Sequence, residues 1–331
     1  MSAPAHFDFY GLSLQVESDW PEIQRAISLD YAWFEREDPG APPDANVRIV
    51  RGAPDVSSYG ELPASFVTPR NIVYQAEGTT IVDYFGRAVS IFDRSSGQLT
   101  VRGDDEGLVH EAAYQFILSR AGAHFDAMGW TRLHGLGMVG SRGGVVVMLP
   151  SGGGKTTLAL RAVEENVSLI SEDTPLLDRS GKLHPFVLRM GINEADADRL
   201  GIRGARRLER MEFRPKLAIE VETFADRIAA APQPLTDLVV GTRTLGGESR
   251  LEPMPKRRAI GALVREGVVG VGVYQGMEFV LQHGMRDTLA KLGVAGSRAV
   301  CCAVALRRAR VWSLKLGRET EKNWAALRLL L

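Results

Sequence analysis

A single segment near the middle of the chain limits its fold more than any other feature of the sequence. The apolar run Val145–Leu149 is followed by a proline, a serine, three glycines, Lys155 and two threonines. The apolar run predicts a buried strand, and the spacing of Leu158 and Ala162 predicts a helix directly after the loop. Strand, glycine loop, lysine, hydroxyl and helix, in this order, form the pattern of a phosphate-binding P-loop. The segment therefore predicts an α/β fold that binds a nucleotide.

Each residue type in this loop has an expected role. Glycines let backbone N–H groups converge on phosphate oxygens, and the following helix adds the positive end of its dipole. Lys155, as an exposed loop lysine, is expected to reach the β- and γ-phosphates of ATP, and the Thr156 hydroxyl is expected to bind Mg²⁺. Leu149 stands where the strict pattern has its first glycine. The residues predicted to bind the nucleotide are Ser151, Gly152, Gly153, Gly154, Lys155, Thr156 and Thr157.

Two adjacent acidic residues follow the next predicted strand. Val167–Ser171 predicts this strand, and it ends at Glu172 and Asp173. The distance in sequence from Lys155 fits one β-α-β unit. Carboxylates beside a P-loop can hold Mg²⁺ or take a proton from an attacking hydroxyl. A solvated acidic turn before Pro175 is the alternative interpretation.

Together these segments resemble the HPr kinase/phosphorylase family, which shares its P-loop fold with phosphoenolpyruvate carboxykinases. Ser151–Leu158 is similar to the S-G-x-G-K-[ST] core of both groups. Leu133–Gly135 resembles the histidine–glycine pair that precedes the P-loop strand in HPr kinases, at the same distance from the lysine. Glu172-Asp173 falls where that family has two adjacent aspartates. The resemblance covers residues 130–195.

The resemblance implies a P-loop domain of the HPr-kinase type, with a mixed sheet and flanking helices. It implies ATP and Mg²⁺ as cofactors, and transfer of the γ-phosphoryl group to a hydroxyl, a serine of a small protein or precursor peptide. It also implies that Glu172 is the base, that Asp173 binds the metal together with Thr156, and that His134 orients the acidic pair or the nucleotide. A kinase of a small-molecule hydroxyl and a non-catalytic ATP-binding regulatory or scaffold protein remain alternatives.

The N-terminal third of the chain has a different pattern. Helical spacing over Trp20–Phe34 predicts a helix, with Asp19 as its cap and Pro21 in its first turn. Five short segments separated by turn residues predict a small antiparallel sheet: Val47–Val50, Ile72–Gln75, Thr80–Tyr84, Ala88–Phe92 and Leu99–Val101. A strong amphipathic helix is predicted over Glu106–Phe125. These patterns predict a small α+β module over residues 1–105 and a kinase domain over residues 106–331.

Several further segments are candidates for function or for packing. Lys256–Arg258 predicts a solvated face, and docking of an acidic peptide there is the alternative interpretation. Glu266–Phe279 has a suggestive glycine spacing but lacks the strand-then-helix order of a dinucleotide site, so it predicts a strand or a close-packed segment. Trp324–Leu331 is expected to dock its apolar face on the core. Candidates for binding substrate or transition-state charge are Arg189, Lys216 and Arg243.

Composition limits the classes of partner. Forty basic and forty acidic residues give a formal net charge of zero, which disfavours nucleic acid as a partner. No signal-peptide pattern and no apolar run of about 18 residues is evident, so we expect no membrane partner and a cytoplasmic location. The adjacent Cys301 and Cys302 predict two buried thiols on a strand rather than a disulfide or zinc site. The sequence leaves open whether the chain forms a homo-oligomer.

Overall fold

The computed structural model describes residues 3–37, 42–150, 152–211, 214–270 and 285–331 of the chain. Contacts divide these residues into two compact units. The first unit contains residues 3–121 and Gly191–Val221, and the second contains Gly122–Met190, 222–270 and 285–331. The boundary expected near residue 105 differs from this division, because Gly191–Val221 belongs with the N-terminal residues. That residues 1–105 form an independent module stays a prediction.

Nine strands of the described residues form one mixed sheet in the first unit. They are β1 (Ala5–Phe9), β2 (Leu12–Ser18), β3 (Glu35–Arg36), β4 (Ala45–Arg51), β5 (Ala64–Val67), β6 (Ile72–Ala76), β7 (Thr79–Asp83), β8 (Ala88–Asp93) and β9 (Gln98–Gly103). Their order across the sheet is β3-β1-β2-β4-β9-β8-β7-β6-β5. The five predicted segments are all strands. The expectation of a small antiparallel sheet is wrong, however, because β4 pairs in parallel with both β2 and β9.

The first helix, α1 (Pro21–Asp30), has Pro21 at its first position, as expected. The predicted cap is wrong, because Trp20 occupies the cap position and Asp19 Oδ1 instead accepts a hydrogen bond from the Arg51 N–H at 2.8 Å. The helix also ends earlier than predicted, and a short 3₁₀ turn, Ala32–Phe34, follows it. Its buried side chains still follow the helical spacing, with Ile23 and Ile27 fully buried.

The long helix α2 (Glu106–Ala127) matches the predicted position but not the predicted amphipathic character. Over residues 106–121, the part of α2 that belongs to the first unit, Glu106 is exposed and every other residue is buried or half-buried. Tyr31 Oη donates to the Tyr114 carbonyl at 2.8 Å, and the ring of Phe116 packs edge-on against Phe92 at 4.9 Å. A helix that is apolar on nearly all sides is enclosed by its surroundings rather than laid on a surface.

The second unit contains another mixed sheet, to which nine of the described strands contribute. They are β10 (Thr131–Arg132), β11 (Leu136–Gly140), β12 (Gly143–Met148), β13 (Leu169–Ser171), β14 (Leu176–Leu177), β15 (Lys182–His184), β19 (Gln233–Arg243), β20 (Arg250–Pro253) and β21 (Arg310–Leu316). The main order is β10-β14-β15-β19-β12-β11-β13, and β21 joins β19 to β20. The mixed sheets and flanking helices confirm the predicted α/β class at this coarse level.

Helices and turns complete both units. The helices are α3 (Lys155–Glu164), α4 (Glu194–Arg199), α5 (Ile260–Leu263), α6 (Met285–Arg308) and α7 (Thr320–Leu327). The 3₁₀ turns are Ser57–Tyr59, Val221–Arg227, Lys256–Ala259 and Arg328–Leu330, and Val264–Val269 is a π-helical turn. A separate three-stranded sheet has the order β16 (Met190–Ile192), β18 (Lys216–Ile219), β17 (Arg207–Leu208).

Three predictions for the C-terminal part of the chain have different outcomes. Cys301 and Cys302 are buried, as expected, but they lie on helix α6 and not on a strand. The described start of Glu266–Phe279 belongs to the π-helical turn and is close-packed, because a Cβ on Gly267 would lie 2.6 Å from Cys302 Sγ. Residues 271–279 lie outside the described residues. Around the two cysteines a short apolar run imitates a strand, and periodicity alone does not separate a buried strand from a buried helix. The expected docking of Trp324–Leu331 is confirmed, because Trp324, Leu327 and Leu330 are buried.

One described helical stretch, Leu289–Arg308 within α6, is long and apolar enough to cross a membrane by length and composition. Only 22% of its most apolar window is buried. Length and composition do not separate a membrane span from a helix of a soluble protein. The absence of a membrane partner and the cytoplasmic location therefore stay predictions.

Candidate functional site

The strand directions of the second unit bring separate segments of sequence to one edge of its sheet. β12 and β19 are parallel, and β11 is antiparallel to both β12 and β13. The carboxyl ends of β12, β13 and β19 therefore lie at the same edge as the start of β11. The glycine loop follows β12, the acidic pair follows β13, and His134 lies in a bend just before β11. Ligands of α/β sheets bind at such an edge.

The loop between β12 and α3 needs its glycines. Gly152 and Gly154 have φ values of 72° and 99°, in the left-handed region that favours glycine. A Cβ on Gly153 would lie 2.7 Å from the Pro150 carbonyl oxygen. Helix α3 begins directly at Lys155, so its first N–H groups face the loop. Of the residues predicted to bind the nucleotide, Ser151 lies outside the described residues, and Thr157 lies half-buried in the first turn of α3.

The structure explains why leucine stands at position 149. Its side chain is buried, and a Cβ on Gly241 of β19 would lie 2.3 Å from Leu149 Cδ2. Leu149 is therefore a core residue packed against the neighbouring strand. Its carbonyl oxygen accepts a hydrogen bond from Lys155 Nζ at 3.2 Å. Residue 149 contacts the lysine of the loop through its backbone carbonyl, a group that leucine and glycine both have.

Lys155 is buried, with 7% of its surface exposed, so the expectation of an exposed loop lysine is wrong. Its Nζ lies 3.0 Å from His134 Nε2 and 3.4 Å from Asp173 Oδ1. These contacts come from segments before and after the loop in sequence. They hold the ammonium group at the sheet edge, beside the start of α3.

The two acidic residues have different partners. The Thr156 hydroxyl donates a hydrogen bond to Glu172 Oε1. Asp173 instead lies beside His134 and Lys155. Its Oδ1 is 3.3 Å from His134 Nε2, and 44% of its side chain is exposed. The sequence-based assignment paired Thr156 with Asp173, whereas the structure places Thr156 against Glu172.

Glu266 is the residue of this cluster that sequence reasoning missed. Its Oε2 lies 2.6 Å from His134 Nδ1, and its carbonyl oxygen accepts a hydrogen bond from the His134 N–H at 2.9 Å. Glu266 is only 2% exposed and lies on the π-helical turn Val264–Val269. The available signal was a single acidic residue that interrupts a run of valine, leucine and glycine.

Asp173 stabilises the charged form of His134, and His134 stabilises the ionised form of Asp173. Burial and the charge of Lys155 lower the pKa of His134, but the hydrogen bond and charge of Asp173 and the hydrogen bond of Glu266 outweigh them and raise that pKa. Burial likewise raises the pKa of Asp173, but hydrogen bonds and charge from His134 and Lys155 outweigh it and lower that pKa. Each shift favours the charged form. An ionised Asp173 therefore lies at the water-facing side of the cluster.

The basic candidates have different positions. Arg243 ends β19, donates to the Gly317 carbonyl at 3.1 Å, and would lie 3.9 Å from a Cβ on Gly154. It is therefore beside the glycine loop. Arg189 is half-buried in the segment between β15 and β16. Lys216 belongs to the first unit, where Nζ donates to the Gly191 carbonyl at 3.2 Å.

The cluster Lys256–Arg258 is exposed on a 3₁₀ turn, which agrees with a solvated face. Lys256 Nζ donates to the Arg307 carbonyl, and Arg257 and Arg258 are exposed. That an acidic peptide docks here stays a prediction.

Within the described part of the chain, no group of three or more His, Cys, Asp or Glu side chains is arranged to hold a metal ion. Mg²⁺ does not need such a cage, because it binds one or two carboxylate or hydroxyl oxygens together with substrate phosphates and water. The hydroxyl of Thr156 and the carboxylate of Glu172, already in contact, are oxygen ligands of this kind. The residues present therefore fit Mg²⁺ bound with a nucleotide.

Comparison with models of known protein families finds none that matches this chain. Comparison with curated proteins finds no significant match.

Proposed function

We propose that this protein is an ATP- and Mg²⁺-dependent kinase with a P-loop domain of the HPr-kinase type. Its acceptor is a hydroxyl, a serine of a small protein or peptide. One observation carries the proposal: a strand–glycine loop–helix unit, two carboxylates and a histidine come from separate segments to one edge of a sheet. Phosphoryl transfer needs little beyond positioning and charge neutralisation, and these groups supply both.

The nucleotide would bind at the start of α3. The N–H groups of the loop and of the first helical turn, with Lys155, would face the phosphates. Thr156 and Glu172 would hold Mg²⁺, because their oxygens are already within hydrogen-bond distance of each other. Bound Mg²⁺ would neutralise negative charge on the β- and γ-phosphate oxygens. Arg243, beside Gly154, would add positive charge at the mouth of the loop.

We assign Asp173 as the base. Its side chain is 44% exposed, so an acceptor hydroxyl can reach it, and its lowered pKa keeps it ionised. As the hydroxyl oxygen attacks the γ-phosphorus, the bond to the bridging oxygen of ADP breaks and the hydroxyl proton passes to Asp173. His134 and Lys155 fix the orientation of the carboxylate. The resemblance to HPr kinases favoured Glu172 for this role, and the contact of Glu172 with Thr156 favours the metal site instead.

A second candidate function is a nucleotide-binding regulatory protein that transfers nothing. The contacts of Lys155 with His134 and Asp173 favour it, because a lysine already paired within the protein contributes less charge to a phosphate. The two functions share ATP binding and differ in transfer. A kinase of a small-molecule hydroxyl would differ only in the labelled product.

The test is incubation of the protein with γ-labelled ATP, Mg²⁺ and a lysate of the source cells, followed by mass spectrometry of the labelled species. The kinase predicts an acceptor labelled by the wild-type protein and unlabelled by Lys155→Ala. Mg-ATP binding with no labelled acceptor would favour the regulatory protein. If calorimetry shows no ATP binding, the nucleotide site itself is wrong.

A further inference from the structure

We propose that Glu266 is a positioning residue, which fixes the tautomer and the orientation of His134 so that its Nε2 faces Lys155 and Asp173. The consequence for phosphoryl transfer rests on the proposed function. The tautomer itself does not, and it is measurable on the protein alone. The inference gives a role to a buried carboxylate that lies outside the P-loop, the acidic pair and the segments between them.

Glu266 holds His134 at two points. The backbone carbonyl of Glu266 accepts from the His134 N–H at 2.9 Å, and its carboxylate lies 2.6 Å from Nδ1. An ionised carboxylate only accepts hydrogen bonds, so Nδ1 carries the proton. In the charged ring, Nε2–H also faces Asp173 Oδ1, at 3.3 Å. In the neutral ring, Nε2 presents its lone pair to the Lys155 ammonium group, at 3.0 Å. A partner on one ring nitrogen thus sets the chemistry of the other.

Glu266 is itself held firmly. Arg265 Nε pairs with Oε1, which leaves Oε2 for His134. The next residue, Gly267, lies so close to its surroundings that a Cβ there would be 2.6 Å from Cys302 Sγ and 2.9 Å from Leu133 Cδ2. The π-helical turn is therefore packed between α6 and the residue before His134. Turns of this type occur mostly as single insertions in helices, and frequently at functional sites.

The Glu266 carboxylate is buried, so its stability depends on its partners. A carboxylate removed from water is unfavourable unless it is paired, and an apolar side chain of similar volume is often as stable. If Glu266 had a purely structural role, its pair with Arg265 would suffice. The Arg265 side chain is 61% exposed, so that pair does not require Glu266 to be buried beside His134. The short contact with His134 is what the buried position provides.

The direct test is nitrogen-15 NMR of histidine-labelled protein. The chain has six histidines, and the signal lost in His134→Asn identifies the relevant ring. The spectra are compared at a pH above the midpoint of the His134 titration, where the ring is neutral and its tautomer is defined. There the wild-type protein is expected to show His134 protonated at Nδ1, and Glu266→Gln to show a mixture of tautomers, because an amide can either accept or donate. A neutral wild-type ring protonated only at Nε2 would overturn the proposal, whether or not any variant folds.

The kinetic test uses the same variant with a defined acceptor. Glu266→Gln is expected to lower kcat about 10- to 100-fold, as loss of an orienting partner does, with the Kd for Mg-ATP within about twofold of wild type. In a His134→Ala background it should cause no further loss, since the residue acts only through that ring. Losses that multiply in the double variant would overturn the proposal. Glu164→Gln, a change of the same type at an exposed residue of α3, is the control.

These outcomes are separable from those of the proposed function. If the wild-type protein binds Mg-ATP but transfers no phosphoryl group, the kinase assignment fails. The NMR result still confirms or overturns the role of Glu266 in that case.

Discussion

Two buried histidines of this chain each contact a carboxylate through a ring nitrogen, but their surroundings differ. In the first unit, His110 Nε2 lies 2.8 Å from Asp30 Oδ2, and Asp30 is fully buried. Arg206 pairs with the other oxygen of Asp30 and also with Glu220. In the second unit, His134 lies between buried Glu266 and an Asp173 that is 44% exposed.

The difference shows what separates a structural ion network from a candidate site. In the first network each oxygen of the buried aspartate has a cation or an imidazole beside it, so the charge of the aspartate is compensated within the protein. In the second, the network ends at a half-exposed carboxylate beside the glycine loop. A buried histidine–carboxylate contact is therefore not by itself the mark of a site. What counts is a charge that reaches solvent next to a place where a substrate can bind.

The largest expected effect is on transfer in Lys155→Ala. The variant removes the ammonium group that faces the phosphates, so we expect transfer to fall below detection and the Kd for Mg-ATP to rise about tenfold or more. Circular dichroism should show a folded protein. Lys182→Ala, at an exposed lysine of the same unit, is the matched control and should behave as wild type. A folded Lys155→Ala protein with full transfer would contradict the nucleotide site.

Asp173→Asn should lower transfer by about 10²–10⁴-fold, the usual contribution of a general base, and leave Mg-ATP binding nearly intact. The change is nearly isosteric and the side chain is half-exposed, so the free energy of unfolding should change little. Transfer is measured with a defined acceptor, and binding by calorimetry. The control is Asp226→Asn, a change at an exposed aspartate that pairs with its neighbour Arg227. Wild-type transfer by Asp173→Asn would move the base to Glu172.

Asp30→Asn should lower the free energy of unfolding and leave transfer by the folded protein unchanged, the reverse of Asp173→Asn. It leaves His110 and Arg206 without their buried anion, and breaking such a pair costs about 3–5 kcal/mol. We expect the urea midpoint to fall accordingly, while the folded fraction keeps the wild-type kcat. Exposed Asp104→Asn should leave the midpoint unchanged. If Asp30→Asn lowers kcat in the folded protein as strongly as Asp173→Asn does, the distinction between the two networks is wrong.

The sequence predicted most of the local elements of this site. The strand before the glycine loop, the helix after it and the strand before Glu172 all follow from short apolar runs and helical spacing. The hairpin of β1 and β2 was not predicted, although the sequence contains the pattern for it. Apolar and polar residues alternate on both sides of Tyr10 and Gly11, which have φ values of 58° and 94°.

What the sequence did not predict depends on contacts between distant segments. Glu266 meets His134 across 132 positions of chain, through a π-helical turn whose valines imitate a strand. The burial of Lys155 likewise depends on His134 and Asp173 closing over it. Periodicity reports which side of an element is buried, not which partner it meets, so such contacts require the structure.

The smallest expected effect is that of Glu172→Gln, and it sharpens the comparison of the two carboxylates. Glu172 contacts the Thr156 hydroxyl, so a neutral amide should weaken the hold on Mg²⁺ without removing the base. We expect the Mg²⁺ concentration for half-maximal transfer to rise about tenfold, while transfer at saturating Mg²⁺ stays within about threefold of wild type. Thr156→Val, which removes the neighbouring hydroxyl, should raise the Mg²⁺ requirement in the same direction, and the double variant should add little, because both residues act on one ion. A loss of transfer in Glu172→Gln that excess Mg²⁺ does not restore would return the role of base to Glu172, as the resemblance to HPr kinases first implied.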